Sequence, residues 1–328
     1  MTSAVYIFIG FFVFVTGLCI GSFLNVVSLR AFSGESIVFP PSKCPKCGEP
    51  IKPWDNIPVL SYLILGGKCR NCKKPISIQY PIVEFSTGLG FLILYIVYTP
   101  LIIATPVMWE KFLMFPFLAT IFSLSVVIAI TDIKEQVVFD VHTISLLVII
   151  ILYRFAEGMF LNAIIGGIIG AALIEILSGI GWLLIRKRAF GTGDSYIAAS
   201  MGALLGAEMF VVSLITAVLI QILMILPLFA KKLIKEREYK LITVAGLFIV
   251  LLIFYKLPFT ADFNEIIKFI FAVLLIIVGF YLCKLLLSVK SLKDNPTYCP
   301  FGPSLLLAMF LVVMYGDMIK DFYLKLIY

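Results

Sequence analysis

Asp132 and Asp194 stand at the ends of long apolar runs, 62 positions apart. Asp132 closes the run Ile121–Thr131, and Asp194 opens Ser195–Leu205 from within Gly191-Thr192-Gly193-Asp194. Ionisable groups at membrane depth are costly to keep and by default point to function. Two carboxylates in a poorly solvated site can share one proton and activate water, which is aspartic protease chemistry. A helix N-terminus favours an anion and a C-terminus does not, so Asp194 suits the base and Asp132 the acid. Each also has a plainer reading: Asp194 as a helix N-cap, Asp132 as an interfacial acid beside Lys134. Gly191 and Gly193 favour the functional reading of Asp194, because glycine lets a substrate's backbone approach closely or takes up positive φ itself. Asp140, a third acid in the same loop as Asp132, reads as the N-cap of the next span.

A second chemical constellation lies earlier. Cys44-Pro45-Lys46-Cys47 and Cys69-Arg70-Asn71-Cys72 are separated by 21 residues, slightly beyond the usual zinc-ribbon spacing but with its pairing. Four thiolates close a tetrahedral structural zinc site and leave no open position for catalysis. Segment 30–80 is too poor in apolar residues to build much of a core, so metal would supply folding energy. Disulfides are the competing reading, and a cytoplasmic location disfavours them. Cys19, Cys283 and Cys299 are scattered and read as membrane-packing residues. His142 has no second histidine beside it and reads as interfacial.

These groups must be held by membrane spans. The 328 residues are 62% hydrophobic and 14% charged, with a mean hydropathy of +1.10. Apolar runs near 4–29, 82–105, 112–131, 141–156, 161–185, 194–206, 209–230, 241–256, 266–287 and 303–317 predict an all-α polytopic membrane protein of eight to ten transmembrane helices. The uncertain division falls at Gly206-Ala207. No basic residue precedes the first run and no small-residue cleavage site follows, so it reads as a span and not as a secretory signal. Loops 30–80, 132–140, 186–193, 231–240 and 284–302 hold 20 of the 26 Lys and Arg, which places them in the cytoplasm with the N-terminus outside. The charge of +7 is thus a topology signal, and nothing suggests nucleic-acid binding. Gly17-x-x-x-Gly21 and Gly166-x-x-x-Gly170 read as helix-packing faces.

Several of these residues resemble the bifunctional prepilin leader peptidases with N-methyltransferase activity, which are Gly-x-Gly-Asp intramembrane aspartic proteases. The resemblance begins at Gly21-Ser22-Phe23-Leu24-Asn25-Val26-Val27 with Arg30. It continues through the cysteine pairs, Trp54-Asp55-Asn56-Ile57-Pro58-Val59-Leu60-Ser61-Tyr62, Gly67-Lys68, Pro75-Ile76-Ser77 and Tyr80-Pro81-Ile82-Val83-Glu84. Gly191–Asp194 and Phe301-Gly302-Pro303 follow in the family's order. Roughly residues 10–230 and 299–315 are covered. Two positions depart: Phe139-Asp140 stands for the family's Pro-Asp, and Tyr196 for its usual Lys.

The resemblance implies cleavage of the basic leader of type IV prepilins, or of the pseudopilins of type II secretion and competence, after a glycine at the cytoplasmic face of the inner membrane. It implies N-methylation of the new terminus with S-adenosylmethionine, and it maps the catalytic dyad onto Asp132 and Asp194. Glu84 and Gly88 become the candidates for cofactor binding. The implied organisation is a first transmembrane helix over 1–29 and a four-cysteine, zinc-ribbon-like module tied to methyl transfer over 30–80. A peptidase domain follows over 81–230, then an insertion of about two spans over 231–298 and a last helix with its tail over 299–328. A peptidase without methylation is the near alternative. A transporter or channel with a zinc-ribbon accessory is the distant one, although its acids would be expected at the midplane. A structural scaffold would leave both aspartates replaceable.

Overall fold

The computed structural model describes residues 3–103, 108–186, 190–235, 238–255, 273–274, 277–279, 281 and 300–327. The described elements are α1 (Ser3–Ser33), a 3₁₀ turn (Pro53–Asp55), α2 (Leu60–Ile64), α3 (Gln79–Ile103), α4 (Met108–Glu135), α5 (Asp140–Ala156), α6 (Phe160–Ile185), α7 (Thr192–Lys235), α8 (Tyr239–Tyr255) and α9 (Gly302–Ile327). Extended pairing among the described residues is limited to two isolated bridges, Lys43 with Pro50 and Lys68 with Pro75. The chain is an all-α, multi-pass membrane protein.

Among the described residues six helices are long and apolar enough to cross a bilayer: Ala4–Ser33, Gln79–Tyr98, Met114–Glu135, Phe160–Leu183, Thr192–Lys235 and Gly302–Lys325. The sequence count is higher because it divides the fifth of these and adds α5 and α8. Those two helices have 17 residues each, near the shortest length that spans hydrocarbon. The division is real in the backbone. Gly206 takes φ 78° and ψ 169° inside α7, so the helix is interrupted where the sequence placed its break. The span read over 266–287 falls mainly outside the described residues, as do Cys283 and Cys299.

Two compact units make up the chain, one of Met1–Val218 with Pro300–Tyr328 and one of Leu219–Cys299. In the first, side chains that a soluble bundle would hide instead face outward. Ile7 is 70% exposed and Leu161 70%, as expected where lipid replaces water. Lipid offers no hydrophobic drive for helices to associate, so close backbone approach takes its place. A methyl on Gly17 or Gly21 of α1 would come within 2.8 Å of the Cα of Gly88 or Glu84 on α3. Likewise Gly166 and Gly170 of α6 abut the carbonyls of Gly202 and Ala198 on α7. Both small-residue faces are thus helix seams. Asn25 ties the first seam at its end, its buried amide donating to Gly21 O and Tyr80 O, each at 3.3 Å.

Candidate functional site

Three helix ends converge on the first aspartate. Asp132 sits in the last turn of α4, only 6% exposed; its Oδ2 makes no hydrogen bond of good geometry, although the Gly302 amide stands against the carboxyl. A buried carboxylate oxygen so poorly paired is expensive, so it calls for a functional reason. The space beside it exists because residue 302, at the start of α9, is glycine. A methyl there would lie 2.5 Å from Asp132 Oδ2 and 3.2 Å from Ile197 Cδ1 of α7.

Asp194 enters from α7. As the third residue of that helix, it accepts a hydrogen bond at Oδ2 from the Gly191 amide at 3.1 Å. This is the backward reach of a capping box, in which an acid in the first turn satisfies the amide just outside it. The plain capping role is therefore present, but it occupies one oxygen only. Gly193 lets the loop close. A methyl on it would stand 2.6 Å from Val138 Cβ, in the segment that follows α4. That contact brings the start of α7, which carries Asp194, against the segment that follows Asp132. Phe190 and Phe301, with ring centroids 5.3 Å apart, pin the same loop to the start of α9.

Asp140 is the first residue of α5, not its cap. Phe139 holds the cap position with extended backbone and no side-chain hydrogen bond. Lys134 forms no ion pair with Asp132 among the described residues.

The four cysteines also come together. Their Sγ atoms all lie within 4.8 Å of one another, and tetrahedral zinc with bonds of about 2.3 Å needs thiolates about 3.8 Å apart. The two knuckles are near copies. Cys44 N donates to Glu49 O and Gly48 N to Cys44 O, while Cys69 N donates to Lys74 O and Lys73 N to Cys69 O. Each turn needs a residue at positive φ, supplied by Gly48 at 76° and Lys73 at 57°. The Cys72 and Asn71 amides bring the Cys69 thiol down to about 7, while Cys47, despite the Glu49 amide, is pushed up to about 11 by desolvation and its neighbouring thiols. Arg70 grips Asp55 through two nitrogens at 2.7 and 2.6 Å and holds that carboxyl below its ordinary value. In the whole segment 34–78 only Ser61 is buried. The module has no apolar core, and the donor set suits one metal ion that would supply that stability.

Comparison with known proteins agrees with this arrangement. Residues 15–98 match the Bacterial Peptidase A24 N-terminal domain and residues 117–227 the Type IV leader peptidase family. A Neisseria gonorrhoeae protein named prepilin leader peptidase/N-methyltransferase is 31% identical over 218 residues, 58% of this chain and 72% of that protein. A Klebsiella pneumoniae protein of the same name is 33% identical over 205 residues, 60% of this chain and 85% of that protein. The chain belongs to the type IV leader peptidase family. A Myxococcus xanthus protein, also so named, is 37% identical over 196 residues, and the match spans 59% of this chain and 55% of that protein's length. No solved structure matches the chain.

Within this leader peptidase family member, one acid escaped the sequence reading. Glu175 of α6 accepts a hydrogen bond from Ser195 Oγ at 2.6 Å, one residue beyond Asp194. An acid in the apolar run 161–185 was the available signal. Tyr196, where the family usually has Lys, is 39% exposed. Of the two cofactor candidates, Glu84 is buried and accepts the Val59 amide at 2.7 Å. A side chain on Gly88 would run into Leu18 and Phe14 of α1, so Gly88 lies in the α1–α3 seam.

Proposed function

We propose that this membrane enzyme cleaves the basic leader from a type IV prepilin or pseudopilin after a glycine, and then methylates the new N-terminus from S-adenosylmethionine. The observation that supports peptide cleavage best is the buried carboxyl of Asp132 at the helix ends that also carry Asp194, in a niche kept open by Gly302. The dyad shares one proton and positions a water for direct attack on the scissile carbonyl. One carboxylate takes the water's proton as the other hydrogen-bonds the carbonyl oxygen, and the proton then passes to the departing amine. No covalent enzyme intermediate forms. Gly191 leaves room for the substrate backbone at this face, whereas the bare side of Gly193 is taken up by Val138.

Zinc held by Cys44, Cys47, Cys69 and Cys72 would be structural, since four thiolates fill its coordination. On this reading module and dyad face the cytoplasmic side of the inner membrane, which the distribution of basic loops supports. Methyl transfer rests on the name that the relatives carry. The deciding experiment is cleavage of a co-expressed prepilin by wild type and by Asp194→Asn. Wild type cleaves and the variant does not, while both accumulate in the membrane; normal processing by the variant removes Asp194 from the dyad.

A further inference from the structure

One short stretch of the cysteine module does not look like a water-exposed surface. Leu60, Leu63 and Ile64 share one side of α2 by helical spacing, and Leu63 is 67% and Ile64 75% exposed. Ser61 turns the other way. It is buried, accepts the Ile57 amide and donates to Trp54 O, each at 2.9 Å. The helix therefore has a polar side locked into its own module and an apolar side left bare, and a bare apolar patch marks an interaction surface.

What covers that side follows from its depth. The Val59 amide, at the start of α2, donates to Glu84 Oε2 at 2.7 Å, and Ser22 of α1 donates to the same carboxyl group. Acid and serine both lie inside helices long and apolar enough to cross a bilayer, Gln79–Tyr98 and Ala4–Ser33. Glu84 stands roughly 7.5 Å along the axis from Gln79, at a rise of about 1.5 Å per residue. Ile82 and Phe85, beside Glu84 along α3, are exposed as lipid-facing side chains are, so hydrocarbon reaches this level. The chain thus enters α2 at the depth of a span, not above it. Non-helical backbone survives at that depth only where its polar groups find protein partners, and the bond from Val59 to Glu84 supplies one.

Charge and composition agree. Segment 30–80 carries eight Lys and Arg against three acids. Lys52 Nζ lies 5.6 Å from the ring centre of the exposed Trp54, and tryptophan is enriched where bilayer meets water. An apolar face, an interfacial aromatic ring and an excess of cations are the marks of a segment lying in a leaflet of anionic lipid.

We propose that α2 is a monotopic anchor of the cysteine module. Leu60, Leu63 and Ile64 sit among the acyl chains of the leaflet at which α1 ends and α3 begins, and the module's cations meet anionic phospholipid headgroups. The module lies in the membrane surface instead of projecting from it, so it meets a substrate where that chain leaves the bilayer. Anchoring depends only on α1 and α3 being spans, and stands or falls apart from the peptidase and methyltransferase readings.

The test places a fluorescent reporter on the face. Leu63→Trp is made in a protein carrying Trp54→Phe, Trp109→Phe and Trp182→Phe, purified and reconstituted into vesicles of phosphatidylcholine and phosphatidylglycerol. Phospholipid brominated near the top of its acyl chains should quench the reporter about twofold or more, and aqueous acrylamide should barely touch it. Ile7→Trp in the same background sets the pattern for a lipid-facing site. Strong quenching by acrylamide with none by bromolipid overturns the anchor, because the face is then in water. A reporter shielded from both overturns it too, because protein then covers the face. Tryptophan itself favours the interface, so the unaltered protein is read as well. A phospholipid carrying a diazirine on its acyl chain should photolabel the stretch 60–64, mapped by mass spectrometry. Labels confined to the spans overturn the anchor even where the reporter variant fails to fold.

Discussion

The cysteine module and the carboxylate pair reach functional geometry by opposite routes. Each cysteine knuckle is closed by hydrogen bonds within six residues, such as Cys44 N to Glu49 O and Cys69 N to Lys74 O. Only the docking of one knuckle on the other is longer in range, helped by Lys46 Nζ donating to Pro75 O at 2.9 Å. The carboxylate pair has local support only at Asp194, which accepts the Gly191 amide. The end of α4 and the starts of α7 and α9 lie together, fitted by Gly193 on Val138 and Gly302 on Asp132, and this brings Asp132 and Asp194 to one end of the bundle. Local turns leave their signature in spacing, whereas a convergence of helix ends leaves only isolated residues whose purpose emerges when the helices pack.

The contrast is sharpest in what each region should lose. Asp132→Asn and Asp194→Asn keep nearly the same shape but cannot exchange protons, so prepilin cleavage should fall by about 10²–10⁴-fold or below detection. Zinc content should stay unchanged in both variants. A parallel loss of metal would erase the distinction between the two regions, because the carboxylates would then be supporting the fold.

Replacing any one of Cys44, Cys47, Cys69 or Cys72 with Ser should do the reverse. Metal content, read by atomic emission, should fall from about one zinc per chain, and the 30–80 segment should become protease-sensitive. A strong chelator should reproduce that sensitivity in wild type. Full-length protein carrying no metal, or cysteines found as disulfides, ends the zinc assignment.

Gly302→Ala tests the dyad's dependence on packing. The added methyl must displace Asp132 or shift α9, and a misplacement of about 1 Å can cost on the order of 10²-fold in rate. The loss should appear in kcat with the protein still folded. Activity within twofold of wild type means that the niche at Gly302 is not part of the working geometry.

Withholding S-adenosylmethionine should leave cleavage intact and give a product lighter by about 14 mass units, one CH₂, because cofactor chemistry alone requires the cofactor. If cleavage also stops, the two activities share a site.

Asn25→Ala should have the smallest effect. It strips the Tyr80 carbonyl of its side-chain donor in a buried seam, worth about 1–3 kcal/mol of stability. Thermal unfolding in detergent would read it, with no change in metal content or cleavage at low temperature.

The sequence by itself determined the membrane character, most of the helices, the cysteine quartet and the two packing faces, and it singled out the two aspartates proposed as the dyad. Each is written in composition, in period or in a spacing of a few residues. Even the break at Gly206 was legible, since glycine alone takes φ 78° without strain. What only the tertiary structure decided is which residues meet across helices. Nothing in the spacing joined Gly302 to Asp132, Val138 to Gly193, or Ser195 to Glu175. Glu84 and Gly88 looked alike as cofactor candidates, yet one carboxylate holds a module amide and the other position is a helix seam. The physical reason is that a helix presents a different neighbour every 100° of turn. Sequence fixes the order of residues around that circle, and packing alone fixes which partner each of them faces.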